Sequence, residues 1–291
     1  MVAEIIDGKK LALQLRDSVA RHVDVLVNDH KIMPGLAVII VGDDPASHIY
    51  VNNKKKLSAK AGIRSFVHAL PKGASQDEVL KLVQALNKDK KVHGILVQLP
   101  LPKQIDANTV LRAIDPAKDV DGLHTENMGR LMMGLPGLVP CTPLGCIALI
   151  KSVQKNLTGL HAVVVGRSNL VGKPMVHLLL RENCTVTVCH SRSHQLAHMT
   201  RQADILIVAA GKKGLVSVDG VKPGAIVIDV GINRAATGEI TGDVDFKSVS
   251  EVAGYITPVP GGVGPMTIAC LLGNTVAAAC RQHELTVPHL G

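Results

Sequence analysis

The chain has 291 residues, 46% of them hydrophobic and 19% charged, and 32 Lys and Arg against 24 Asp and Glu give a formal charge of +8. That apolar content supports a sizeable core and excludes a disordered or fibrous chain, and the length suits two domains. Only four aromatic residues (Phe66, Phe246, Tyr50, Tyr255) and no Trp are present, which leaves neither a stacking platform for single-stranded nucleic acid nor a membrane-interface belt.

Lys and Arg are spread along the chain, so the excess charge reads as surface charge that attracts small anionic ligands, and no nucleic-acid partner is expected. At the N-terminus Glu4 and Asp7 stand where a signal peptide needs positive charge and then an apolar run, which predicts a cytoplasmic protein. Six cysteines contain no CxxC pair, so neither a zinc site nor a disulfide framework is suggested and a reducing compartment fits. His194 and His198 share helical spacing without a third ligand, and no metal is expected. The longest strongly apolar stretches, 36–41 and 268–280, are too short for a spanning helix, so no membrane partner is expected.

In chain order, Leu11, Leu15, Val19, Val23 and Leu26 recur with the period of an amphipathic helix. The apolar run 36–41 between Gly35 and Gly42 predicts a strand buried on both faces, residues 47–61 a helix stopping at Gly62, and 63–70 a second strand. Ser75 and Glu78 form a capping box that opens a helix to about Lys88, followed by a third strand from Val92. After Pro140 the alternation resumes. A helix opens at Thr142-Pro143, and strands are predicted at 161–165, 185–189, 204–209 and 225–230, with helices at 172–181 and up to about Gln202. Residues 265–282 form a last helix. The fold class is therefore α/β with two α/β domains, the second a Rossmann-like doubly wound parallel sheet, and with the cleft between them. The boundaries are 1–139 and 140–265, with 266–291 packing back on the first domain.

Gly166 directly follows an apolar strand and Gly172 opens the next helix. This is not GxGxxG, yet the order strand, glycine turn, helix, strand suits a pyrophosphate placed against free N–H groups at the helix start. An NAD site wants an acid at the end of the next strand, whereas this chain has Ser191 and Arg192 there, which suit a 2′-phosphate. In the first domain Ser47, Tyr50 and Lys54 share one helix face, which leaves Lys55 and Lys56 as a solvated surface.

Six segments in order carry a resemblance: SHIYVNNK (47–54), HGILVQLPLP (93–102), PAKDVDG (116–122), PCTPLG (140–145), VVVGRSNLVGKP (163–174) and ITPVPGGVGPMT (256–267). Together they resemble the bifunctional methylenetetrahydrofolate dehydrogenase/methenyltetrahydrofolate cyclohydrolase family over nearly the whole chain. Two departures fall on the cofactor side: Ala209-Ala-Gly-Lys-Lys213 replaces an Ala-Thr-Gly stretch, and Ser193 replaces Thr.

The resemblance implies NADP-dependent oxidation of 5,10-methylenetetrahydrofolate, then hydrolysis of the methenyl product to 10-formyltetrahydrofolate, by a homodimer. Carried over by motif, Lys54 is the catalytic lysine, Gln98 hydrogen-bonds it, Tyr50 lies against the aminobenzoyl part of folate, and Asp121 holds the pterin. Ser47, Val97, Leu99, Pro260, Gly261, Gly262 and Thr267 complete the folate contacts, and Gly166, Arg167, Ser168, Ser191, Arg192 and Ile232 those to NADP. The tetrahydrofolate substrates, including polyglutamylated forms, give the positive charge a use. Hydrolysis needs acid/base work from Lys54, whose pKa a cationic intermediate would lower by like-charge repulsion. A dehydrogenase of the shikimate or amino-acid type could share the plan, but would not call for Tyr50, Lys54, Gln98 and the PGGVGP loop together.

Overall fold

In the computed structural model, which describes residues 2–234 and 238–288, the elements alternate as read from the sequence. They run β1 (Glu4–Ile5), α1 (Gly8–His30), β2 (Gly35–Val41), α2 (Pro45–Lys60), β3 (Arg64–Leu70), α3 (Gln76–Lys88), β4 (Gly94–Val97), α4 (Ala107–Ala113) and α5 (Thr125–Met132). The chain continues through α6 (Cys141–Val153), β5 (His161–Val165), α7 (Gly172–Arg181), β6 (Thr185–Cys189), α8 (Leu196–Thr200) and β7 (Ile205–Val208). Last come β8 (Ile226–Asp229), the antiparallel pair β9 (Asn233–Arg234) and β10 (Ile240–Thr241), α9 (Phe246–Val249), β11 (Tyr255–Ile256) and α10 (Val263–Gln282).

The chain divides into two compact units: one holds 14–141 and the segment from Ile268 onward, the other holds 142–267 and the segment up to Leu13. In the first unit β2 lies between β3 and β4, all parallel. Every residue of β2 is buried, as its unbroken apolar run requires of a central strand covered on both faces. Its core joins β2 and β4 to α3 and α4 through Ile39, Ile95, Val79, Val83 and Val110. Helix α3 opens with both halves of the capping box, Ser75 Oγ accepting from the Glu78 N–H and the Glu78 carboxylate from the Ser75 N–H. Helix α2 starts two residues ahead of the sequence expectation, because Asp44 caps it and Pro45 occupies the first turn.

The second unit is a six-stranded sheet in the order β1-β11-β8-β7-β5-β6, every pairing parallel. Counted from β5, five of these strands follow the doubly wound order 2-1-3-4-5, whose switch point lies between β5 and β7. Ligands of such sheets bind beyond the carboxyl ends of the strands at that point.

Two sequence expectations need correction. The first thirteen residues group with the six-stranded unit and not with the three-stranded one, because β1 extends the sheet by pairing Glu4 with Tyr255 and Ile5 with Ile256. The C-terminal apolar segment forms a 20-residue helix, long and apolar enough by length and composition to cross a membrane. Within the fold it is a core helix: Leu271, Leu272, Val276, Ala278 and Ala279 are all buried. Residues 289–291 of the predicted C-terminal segment lie outside the described residues.

Candidate active site

In the three-stranded unit, helix α2 carries Lys54 on its inner side and leaves Lys55 and Lys56 exposed. The Lys54 ammonium donates to Gln98 Oε1 at 3.0 Å, immediately beyond the end of β4, and Gln98 Nε2 is held by the Leu99 carbonyl at 2.7 Å. The amide is thus orientated with its oxygen towards the lysine. Burial lowers the Lys54 pKa, and the charges of Asp121 and Cys141 oppose that fall. The lowering exists in the protein alone, so it does not need the cationic intermediate that sequence reasoning invoked. Asp121 forms no direct ion pair with Lys54 among the described residues. Burial pushes the Asp121 carboxyl up, Lys54 pulls it down, and Asp119 adds to the rise. Tyr50 is 38% exposed, one turn before Lys54. Ser47 is buried, and its hydroxyl donates to Asp44 at 2.7 Å as part of the α2 cap.

The neighbouring acid, Asp119, has a different task. Its buried carboxylate accepts from the Leu123 and His124 N–H groups and from Asn127 Nδ2, at 3.2, 2.8 and 2.9 Å. A bridge between Ile95 and Asp119 lays this turn along β4, which brings Asp121 to the strand end that carries Gln98. From α10, Asn274 Nδ2 donates to the carbonyls of Val120 and Val139 at 2.9 and 2.8 Å, tying the Asp121 turn to the segment that precedes α6. The thiol of Cys141 donates to the Val120 carbonyl at 3.2 Å, and burial pushes its pKa well up.

In the six-stranded unit, β5 ends in the turn 166–171. A Cβ on Gly166 would collide with the Ala209 carbonyl, and one on Gly172 with the Gly166 carbonyl, so both positions require glycine. The N–H groups at the start of α7 are not the free donors expected from sequence. Those of Gly172 and Lys173 bond to Ser168 at 3.4 and 3.0 Å, and Pro174 has none. The turn itself supplies the donors: no hydrogen bond from the N–H of Arg167, Ser168, Asn169 or Leu170 occurs among the described residues. Arg167, Ser168, Ser191 and Arg192 are exposed at the carboxyl ends of β5 and β6, and neither arginine makes an ion pair among the described residues. Ile232, beyond β8, is 54% exposed. Two exposed guanidiniums, a serine hydroxyl and open backbone N–H groups fit a phosphorylated dinucleotide. Ser193, one of the two departures, accepts from the His190 N–H at 3.0 Å and shapes the loop from within. In the same unit Gly262 bonds back to the Pro258 carbonyl at 2.8 Å, which closes the loop holding Pro260 and Gly261, and the Thr267 hydroxyl meets that of Thr142 at 3.0 Å.

Comparison with known proteins assigns both halves. The catalytic domain of tetrahydrofolate dehydrogenase/cyclohydrolase matches residues 6–121, and the NAD(P)-binding domain of the same enzymes matches residues 140–283. The chain belongs to the tetrahydrofolate dehydrogenase/cyclohydrolase family. It is 58% identical to the bifunctional protein FolD of Bradyrhizobium sp. BTAi1, over 99% of each chain. It resembles the solved bifunctional dehydrogenase/cyclohydrolase of Campylobacter jejuni with a TM-score of 0.94 and 49% identity, over 96% of this chain and 99% of that one. The Trypanosoma brucei dehydrogenase-cyclohydrolase, solved with NADP cofactor and an inhibitor, matches with a TM-score of 0.93 and 38% identity, over 97% and 99% of the two chains.

For this family member, sequence reasoning missed the groups that position the site. Asp119, Asn274 and Cys141 hold the Asp121 turn, and a pair of acids, Asp229 and Asp243, builds the loops beyond β7 and β8. Asp229 accepts from the N–H groups of Gly231, Asp243 and Val244 at 2.9–3.0 Å. Burial, reinforced by the Asp243 charge, pushes its pKa up to about 6 against the pull of those bonds. Each of these residues reads in sequence as a turn acid, a core thiol or a helix amide, and only its partners distinguish it.

Proposed function

We propose that the protein oxidises 5,10-methylenetetrahydrofolate with NADP and hydrolyses the methenyl product to 10-formyltetrahydrofolate. The observation that carries this reading is the Lys54–Gln98 bond with Asp121 beside it, on a lysine whose pKa burial lowers. Hydrolysis of the methenyl cation takes a proton from the attacking water and returns one to the departing ring nitrogen. An amine shifted towards the neutral form can accept the first, and as an ammonium can deliver the second. Gln98 fixes where that nitrogen points. Asp121, whose carboxyl burial pushes up and Lys54 pulls down, accepts from the amino and ring N–H groups of the pterin. Tyr50 offers an exposed ring one turn away for the aminobenzoyl group.

NADP, when bound, accepts the hydride from the substrate's methylene carbon. The chain's contribution there is placement: the glycines at 166 and 172 let the turn close, its N–H groups face the diphosphate, and Arg167, Ser191 and Arg192 meet the 2′-phosphate. The other proposed contacts to folate are Ser47, Val97, Leu99, Pro260, Gly261, Gly262 and Thr267, with Ile232 on the cofactor. Excess Lys and Arg suits the glutamate tail. We further propose a homodimer and a cytoplasmic location; the six cysteines, none in a disulfide, support a reducing compartment.

One experiment tests the activity. Purified protein given methylenetetrahydrofolate and NADP is followed for NADPH and for the methenyl intermediate separately. NADPH formation with a transient methenyl signal and accumulating 10-formyltetrahydrofolate is expected. NADPH formation with methenyltetrahydrofolate as a stable end product would remove the second activity. Sedimentation equilibrium tests the dimer.

A further inference from the structure

We propose that Asp243 is a positioning residue for the nicotinamide half of NADP, because its carboxylate ties the loop beyond β7 to the loop beyond β8. Asp243 Oδ2 accepts from the N–H groups of Ala210 and Gly211 at 2.7 and 2.8 Å. Its Oδ1 accepts from Asn233 Nδ2 at 2.8 Å, and the same amide nitrogen donates to the Gly242 carbonyl at 3.1 Å. The Asp243 N–H in turn donates to Asp229 Oδ1 at 2.9 Å, at the end of β8. The side chain is fully buried, and a Cβ on Gly231 would collide with it. The Asp243 carboxylate thereby holds 210–211 and Asn233 to its own segment, and Asp229 anchors that segment and Gly231 to the end of β8.

Their place in the sheet gives the lock its meaning. The Ala209 carbonyl rests on Gly166 at the β5/β7 switch point, so the 209–211 turn is one wall of the diphosphate turn. The 231–233 loop carries Ile232, which is exposed beside it. A dinucleotide whose 2′-phosphate lies at Ser191 and Arg192, beyond β6, and whose diphosphate lies at the turn after β5, runs on towards β7 and β8. The half of the cofactor received by the Asp243-bound loops is therefore the nicotinamide half. This rests on the reading of the NADP site given above. The departure Ala209-Ala-Gly-Lys-Lys213 falls on the same turn, and the Asp243 contacts are made to its backbone, which any residue supplies.

Asp243→Asn keeps the size of the side chain but has one acceptor oxygen for three donors, so its NH2 must face either Asn233 or the Ala210 and Gly211 N–H groups. NADP and adenosine 2′,5′-bisphosphate, which lacks the nicotinamide half, are titrated against the parent and the variant. In Asp243→Asn the NADP dissociation constant is expected to rise about tenfold while that of the bisphosphate stays within twofold. KM for NADP rises in parallel and KM for the folate substrate does not. General loss of structure would weaken both nucleotides and both substrates, and that result, or an unchanged NADP constant, overturns the proposal. Should Asp243→Asn not fold, Asn233→Ala removes one donor only and is expected to weaken NADP two- to fivefold with the bisphosphate unchanged; equal effects on the two nucleotides overturn it as well. Failure of the parent to bind the bisphosphate would instead refute the NADP site itself.

Discussion

Replacing Lys54 with Met tests the hydrolytic step directly. At an ordinary lysine pKa near 10.4, roughly one amine in about 2,500 is neutral at pH 7. Burial at Lys54 enlarges that fraction, tenfold for each unit of lowering, while a single hydrogen bond to Gln98 keeps the nitrogen aimed. Met fills the same apolar stem and cannot exchange a proton. General acid/base catalysis supplies a factor of about 10² to 10⁴, so the loss of hydrolysis corresponds to about 3–5 kcal/mol of barrier. Decay of added methenyltetrahydrofolate, followed by absorbance from pH 6 to 9, reads the effect. The parent rate is expected to rise with pH through an apparent pKa below the usual lysine range, and the variant is expected to be slow with no such limb. Dehydrogenation falls less, since Lys54 helps to hold folate but transfers no proton in that step. The exposed Lys55 and Lys56 give controls as Lys55→Met and Lys56→Met. If Lys54→Met hydrolysed within threefold of the parent, or if Lys56→Met were the damaged variant, the reasoning would fail.

Asp121→Asn removes the charge that props up the Lys54 pKa, so folate should bind more weakly in both reactions and the rising limb of hydrolysis should move to lower pH; an unmoved limb and an unchanged folate dissociation constant would contradict this. Arg192→Ala combined with Ser191→Ala should abolish most of a preference for NADP over NAD, each charge-assisted bond contributing about 1.5–3 kcal/mol; the ratio of kcat/KM for the two cofactors measures it. His93 is buried, its Nδ1 accepts from the Gly35 N–H at 3.0 Å, and burial, with the His283 and Lys118 charges, pushes its pKa down to about 4. The unfolded chain, with a histidine near 6.5, takes up the proton first, so stability is complete above pH 6.5 and is lost as pH falls towards 4, by up to about 3 kcal/mol. His93→Asn keeps an acceptor for Gly35 and should flatten that loss in urea melts across the same range; identical pH slopes in parent and variant would rule it out.

Much of the fold is legible because the buried strands are short, apolar and bracketed by turn residues. The runs at 35–41 and 161–165 show a central strand without any tertiary knowledge, and Ser75 with Glu78 marks a helix start by local chemistry alone. The strand at Glu4–Ile5 is not legible, since two residues carry no period and their partner lies at Tyr255 and Ile256. The lysine, the glutamine and Asp121 are found by motif, but the motif gives Asp119, two residues earlier, no task of its own. That task shows only in the N–H groups that converge on it. Asp243 is hidden for the same reason: two of its three donors are backbone groups more than thirty residues earlier, at Ala210 and Gly211, and backbone donors leave no trace in residue type.

The edge strand at the N-terminus also sets an order of events. Glu4 and Ile5 leave the ribosome first, yet the residues they bond to, Tyr255 and Ile256, are made some 250 residues later. At roughly 5–20 residues per second this strand waits on the order of 12–50 s for its partner. The six-stranded sheet can therefore be completed only near the end of synthesis. A fragment beginning at Pro140 would never complete it: β11 would become a bare edge, with unpaired N–H and C=O groups open to another chain. Cutting this protein between its two apparent α/β halves separates a strand from the sheet it finishes.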